Sequence, residues 1–255
     1  MSTTSDGGRT ALGGYLYQIV GLLGVKAWAQ SVDDSVDSEE IAAFLKLVVD
    51  GKVWHERFDQ DMVIQPVGIT ESDEWVLVQF KYSRLLPSPP IGPTEFLEIV
   101  DRLVTSGAQA GKLGHNVTGY VLISNRSLGS ETSKIVEAAK AGVEHSRIKD
   151  NNQRNLLQHL RIMTNWSLSF WEGLLHRFAY KFGVMDLEIE RGIDRLIGRL
   201  VVRTSQEGSV AIEAEDLKEA FTEARNAHPL TLTDVATRLI QQLDYFHEEQ
   251  CHEPH

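Results

Sequence analysis

The segment Trp54–Ser83, WHERFDQDMVIQPVGITESDEWVLVQFKYS, constrains this chain more than any other stretch. It reads as two strands, Trp54–Ile64 and Trp75–Tyr82, joined by a polar hairpin. The first carries Glu56, Asp59 and Asp61, and the second carries Gln79 and Lys81. Side chains alternate along a strand, so Gln79 and Lys81 share one face, about 6.5 Å apart along the backbone. Val76, Val78, Phe80 and Tyr82 take the other face, while Trp75 and Leu77 make the first face apolar as well. A strand apolar on both faces belongs inside a sheet. A lysine ammonium there needs a negative partner, and Asp61 on the neighbouring strand is the best candidate.

An acid, an amide and a lysine converging at a sheet end have a definite chemistry. Carboxylate and amide oxygens suit a hard divalent ion such as Mg²⁺, or Mn²⁺ in its place. Such an ion lowers the pKa of a bound water and offsets charge building on a phosphate. The lysine would orient that water. This is the outline of a metal-dependent phosphodiesterase, although a Lys–Asp pair that only closes a sheet has the same residues.

The lone cysteine, Cys251, excludes an internal disulfide and fits a reducing cytoplasm. No run of about 18 apolar residues suggests a membrane span, and the opening MSTTSDGGRT has no charged and apolar leader. Lysine and arginine number 25 against 36 acids, a net charge of −11. That field repels nucleic acid, so a DNA groove has to be a local basic strip or be completed by another domain or subunit.

Along the chain, residues 1–8 are small and polar and are expected to be disordered. From Arg9 to about Ser31, apolar residues on a wide stripe predict a buried helix whose glycines allow close packing on a sheet. Ala42–Val49 holds a β-leaning run ending at Asp50-Gly51, a hairpin signal, which predicts a three-stranded meander with the two strands above. LLPSPPIGP is a loop. Thr94 then caps a helix with Phe96, Leu97, Ile99, Val100, Leu103 and Val104 on its apolar face. Thr118–Ser124 reads as a buried strand and Ser130–Glu144 as an amphipathic helix. Helices are expected over 151–163, 169–182, 186–203, 215–226 and 231–250. The domain reading is a core over 9–150 and a helical C-terminal region over 151–255, in an α/β (α+β) class with helices on the faces of a mixed sheet.

At this point the chain resembles the PD-(D/E)XK nuclease superfamily, and within it the double-stranded DNA endonuclease domains at the N-terminus of bacterial anti-phage effectors, including those of CBASS systems. The residues that carry the likeness are Gly13-Gly14-Tyr15-x-Tyr17-Gln18, Glu56 with Asp61, Gln79-Phe80-Lys81, and Leu122-Ile123-Ser124-Asn125, in order over roughly residues 9–126. The resemblance implies a restriction-endonuclease-like sheet and a Mg²⁺- or Mn²⁺-dependent hydrolase. Asp61 would be the metal-binding acid and Lys81 the catalytic lysine. Gln79 stands where many members have Asp or Glu, so Glu56 or the Phe80 carbonyl would have to add to the metal site. Asp59 competes with Asp61, with only register to separate them. Gln18 and Tyr17 are possible supports from the opening helix.

The implied partners are duplex DNA, further copies of the chain, and a sensor or NTPase module in the same protein or a partner subunit. Nothing in these residues resembles such a module. Activation by assembly follows as an expectation. A different class of reading is an inert nuclease-like module that binds DNA or a partner subunit in a defence complex.

Other signals are weaker. Arg126, Arg147, Lys149, Arg154 and Arg161 give a modest basic stretch that could touch phosphates; a solvated helix face has the same composition. Gly107–Leu113 lacks the spacing and the Ser/Thr of a phosphate loop, and His55-Glu56-x-x-Asp59 lacks the second histidine of a zinc protease. His247, Cys251, His252 and His255 have zinc-ligand chemistry, at a terminus where such residues often have no consequence. Trp166, Phe170, Trp171, Phe178 and Tyr180 are expected to pack between helices.

Overall fold

β3 (Glu74–Lys81) lies in the interior of the sheet, and the rest of the protein is arranged on its two faces. The structure, a computed structural model, describes residues 4–31, 38–57, 60–66, 74–85 and 87–227. In chain order the elements are α1 (Thr4–Ala29), α2 (Glu39–Asp50), β1 (Gly51–Arg57), β2 (Gln60–Pro66), β3, α3 (Pro93–Lys112), β4 (Asn116–Ser124), α4 (Ser130–Lys140), α5 (Asn151–His159), β5 (Leu160–Met163), α6 (Leu168–Tyr180), α7 (Asp186–Glu207), β6 (Val210–Ile212) and α8 (Ala214–Asn226). The strands form one mixed sheet in the order β5-β4-β3-β2-β1-β6. β1, β2 and β3 make an antiparallel meander, with β6 antiparallel to β1; β4 and β5 run parallel to β3.

The alternation along β3 sorts as the sequence predicts. Val76, Val78 and Phe80 enter a core with α1, α2, α6, α7 and α8, whereas Trp75 and Leu77 enter a second core with α3, α4 and α5. α1 is a central helix, with Tyr17, Ile19, Val20, Leu22, Leu23 and Val25 all buried. Two of its glycines are contact points: a Cβ at Gly21 would sit 2.7 Å from the Phe80 ring, and one at Gly24 3.0 Å from Trp171. Overpacking of this kind costs about 1–3 kcal/mol. Gly21→Val is therefore expected to lower the stability by at least that much, read as a shift of the urea midpoint at unchanged m-value. An unshifted midpoint would mean that α1 does not rest on β3.

Several elements depart from the sequence expectation. The run Phe44–Val49 is helix, not strand: Ser38 caps α2 by accepting from the Ile41 N–H, and Phe44, Leu45 and Val48 are buried at helical spacing. Asp50-Gly51 is accordingly a helix-to-strand junction. The segment 54–64 is two antiparallel strands, so Glu56 stands on β1, across from the strand of Asp61. α3 starts at Pro93 with Gly92 as its cap, and Thr94 makes no capping bond; a proline at the first helical position loses no internal hydrogen bond. Residues 160–163 leave the expected helix to pair with β4. β6 was not expected at all. Both edge strands thus come from beyond residue 150, and α6 packs on α1. α1 begins at Thr4, ahead of the expected start at Arg9. The helix expected over 231–250 and the residues His247, Cys251, His252 and His255 lie outside the described residues. No helix among the described residues is long and apolar enough to cross a membrane.

Candidate metal and phosphate site

Register brings the acidic and amide residues into one row across the sheet. β1 pairs His55 with Met62 and Arg57 with Gln60, which places Glu56 opposite Asp61. β2 pairs Met62 with Val78 and Val63 with Leu77, and the same count places Asp61 opposite Gln79. Glu56, Asp61 and Gln79 therefore stand side by side on β1, β2 and β3. Lys81 follows two residues beyond Gln79, on the same face, at the C-terminal end of β3. Ligands of open sheets with parallel strands bind at that end.

The Asp61 carboxylate sits where the β2–β3 ladder stops. Its Oδ2 accepts the Phe80 N–H at 2.7 Å and a bond from Gln79 Nε2. Gln79 Nε2 also lies 3.4 Å from the Phe80 carbonyl. Burial pushes the Asp61 carboxyl up to about 7, against the pull of the Phe80 N–H, Lys81 and Gln79, and nearby Glu56 adds to the rise. Burial also lifts the Glu56 carboxyl, although Glu56 is largely exposed. Glu56 has φ of 50°, in the left-handed region that favours glycine, a strain typical of positions held for a site.

Lys81 is half-buried. Burial lowers its amine from the usual lysine range, with Arg102 and Arg126 acting in the same direction and Asp61 and Glu95 against it. No direct ion pair joins Lys81 to Asp61 among the described residues; they interact through space at the same strand end.

The end of β4 fixes the backbone that carries Lys81. Ser124 Oγ donates to the Lys81 carbonyl at 2.8 Å, and the Asn125 amide bonds both ways to the Ser83 main chain at 2.9 and 2.7 Å. The Ser124-Asn125 pair of the sequence resemblance is thus a clamp on the strand end of the lysine. Tyr17 lies on the opposite face. It stacks on Tyr82 with ring centroids 5.1 Å apart and donates to the Trp166 carbonyl at 2.7 Å, so it supports the same strand end from beneath. Gln18, also on α1, is half-buried and makes no side-chain hydrogen bond among the described residues. Asp59 lies outside the described residues.

The donors fit a hard divalent cation. Two carboxylates, an amide oxygen once the Gln79 amide turns over, and the Phe80 carbonyl are all oxygen ligands, and a cation would relieve the charge that burial disfavours on Asp61. Among the described residues no group of three His, Cys, Asp or Glu side chains could hold a metal, so a cation here would have to draw on the Gln79 amide and the Phe80 carbonyl as well.

Arg126, Lys149 and Arg154, basic residues named from sequence, are paired with acids of the chain. Arg126 is a structural clamp: it holds Glu95 through two bonds of 2.5 and 2.8 Å and the Pro89 and Pro90 carbonyls at 2.7 and 3.0 Å. Lys149 pairs with Asp101 at 3.0 Å and Arg154 with Glu144 at 3.8 Å, while Arg147 is exposed near Glu131. Arg161 lines a cavity of about 440 Å³ at the opposite end of β4 from Lys81; an adjoining one of about 460 Å³ shares Thr118, Tyr120 and His159 with it. The residue that sequence reasoning missed is Arg102. It lies seven positions after Glu95 on α3, a spacing that puts both on one helix face.

No family model and no curated protein matches the chain. Among solved structures, two of an Acinetobacter baumannii Cap4 SAVED/CARF-domain containing receptor share the fold. One of them contains the cyclic trinucleotide 3′3′3′-cAAA. Both superpose with a TM-score of 0.50, at 12% and 11% identity, over 83% of this chain. The matched part is 46% and 47% of the receptor chains, so this chain spans less than half their length.

Proposed function

We propose that this protein is a metal-dependent endonuclease for double-stranded DNA that serves as an anti-phage effector and is switched on by assembly. The observation that carries the reading is the row Glu56–Asp61–Gln79 with Lys81 beside it at the end of β3. Asp61, Gln79 and Glu56 would hold Mg²⁺ or Mn²⁺, with the Phe80 carbonyl as a further donor. When bound, the ion supplies a water of lowered pKa and offsets charge on the phosphate. Lys81, fixed through its backbone by Ser124, orients the attacking water and stabilises charge developing on the phosphorus-bound oxygens. The sequence resemblance and the fold shared with the Cap4 receptor structures support the defence setting. The acidic surface, −11 in net charge, supports a DNA channel completed by further copies or a partner subunit.

A second reading is favoured by one specific observation. The similar structures are of a receptor and one holds a cyclic trinucleotide, which supports a ligand-sensing role. One experiment separates the two. Plasmid is incubated with the full chain and Mg²⁺ or Mn²⁺, beside Lys81→Ala and Asp61→Ala, and 3′3′3′-cAAA is titrated in parallel. The nuclease reading expects cutting that both substitutions abolish without unfolding. Binding of the trinucleotide without any metal-dependent cutting favours the sensor. Equal background in all three proteins leaves an inert binding module. Full-rate cutting by a monomer would remove the assembly step alone.

A further inference from the structure

We infer that Arg102, on the turn of α3 above the ends of β2 and β3, is a second phosphate-binding group of the Asp61–Gln79–Lys81 site. The inference rests on the nuclease reading and names a substrate contact that the acid–amide–lysine pattern does not contain.

Two anchors fix α3 on either side of this residue. Seven positions before it, Glu95 is held by Arg126 at 2.5 and 2.8 Å, next to the end of β4. One turn after it, Ser106 accepts from Gln60 Nε2 at 2.7 Å, at the start of β2. Residues 95, 102 and 106 share a helix face, so Arg102 is suspended between these anchors, over the strand ends that carry Asp61 and Lys81.

Arg102 has no fixed anionic partner among the described residues. Arg102 is exposed, with no ion pair and no side-chain hydrogen bond among the described residues. Of the acids on that helix face, Glu95 is already spent on Arg126, and Glu98, one turn before Arg102, makes no ion pair with it among the described residues. Asp61 and Glu56 are the acids a cation would neutralise. Two cations, Lys81 and Arg102, are thus left near each other in a chain that carries 36 acids. Folding alone gains nothing from that repulsion. An anion entering between them converts it into two attractions. A phosphodiester fits, because the guanidinium fork matches paired phosphate oxygens and stays charged at any working pH.

The test uses the full chain with a fluorescent duplex, in Ca²⁺ for binding and in Mg²⁺ for cleavage. Arg102→Ala is compared with Arg102→Lys and with Lys112→Ala at the far end of the same helix. Arg102→Ala is expected to weaken duplex binding by about tenfold or more and to reduce the slope of log affinity against log salt by about one. KM should rise more than kcat falls. Arg102→Lys should restore part of the affinity, and Lys112→Ala should match the wild type. If Arg102→Ala keeps wild-type affinity and salt slope while Lys81→Ala still abolishes cutting, the role of Arg102 is overturned and the nuclease reading stands. A wild-type chain that neither binds nor cuts duplex would overturn both.

Discussion

Asp61→Asn is expected to abolish cleavage and, at about pH 8, to make the protein more stable than the wild type. Burial holds the folded-state carboxyl at about 7, above its ordinary value of 3.8. The folded state therefore prefers the protonated acid. Its contribution is complete below pH 3.8 and is lost as the pH rises through 7, so at pH 8 the ionised group opposes folding. A shift of this size corresponds to a few kcal/mol at most, and relaxation of the site reduces it to roughly 1–3 kcal/mol. Asparagine keeps an oxygen for the Phe80 N–H at no charge penalty. On the proposed function, catalysis would move the other way: without the carboxylate a cation would lose its central ligand, and losing one group that stabilises developing charge costs on the order of 10²–10³-fold in rate. A bound cation would also stabilise the native state by mass action, about 1.4 kcal/mol at ten times its dissociation constant. Denaturation with and without Mg²⁺ measures all of this. The wild type should gain stability with Mg²⁺ and lose it with chelator; Asp61→Asn should start higher and respond to neither. A variant that is less stable than the wild type and equally sensitive to Mg²⁺ would sink the assignment of Asp61.

That opposition between stability and activity explains why β3 was legible in the sequence. Trp75–Val78 is continuously apolar and Phe80 follows on the inner face, and the two polar residues, Gln79 and Lys81, are the ones that a folding argument alone does not require. β4 and the apolar face of α3 were legible for the related reason that one strong period runs through each. Short runs were not. Phe44–Val49 has strand-forming residues, but Ser38 and the helical spacing of Phe44, Leu45 and Val48 decide in favour of helix, which a six-residue window does not reveal. β5 and β6 are edge strands of four and three residues, shaped by the neighbours they pair with. The site's residues were visible one by one. The row Glu56–Asp61–Gln79 was not, because it arises from register between three strands. Arg102 was hidden for a similar reason: only the docking of α3, through Glu95 and Ser106, decides which of its polar residues overlooks the strand ends.

His55 is the other buried ionisable group with a large expected effect. It follows Trp54 on β1, is fully buried, and its Nδ1 lies 3.0 Å from Thr204 Oγ1 on α7. Desolvation lowers the imidazole to about 4. In the unfolded chain the group titrates near its ordinary value of 6.5, so between these pH values the unfolded state binds a proton that the folded state refuses. The stabilisation from a neutral His55 is complete above pH 6.5 and is lost as the pH falls to 4, a loss of about 3 kcal/mol over that window. The lever lies between β1 and α7, so acid should loosen the packing of α7 on the sheet before it reaches β3. Removing both partners of the hydrogen bond avoids leaving either unsatisfied. In His55→Leu combined with Thr204→Val, the pH dependence of the unfolding free energy should be flatter by about that 3 kcal/mol between pH 6.5 and 4. Urea denaturation at several pH values in that range supplies the comparison. Parallel curves for the two proteins would show that His55 is protonated in the folded state, or that another group carries the acid sensitivity.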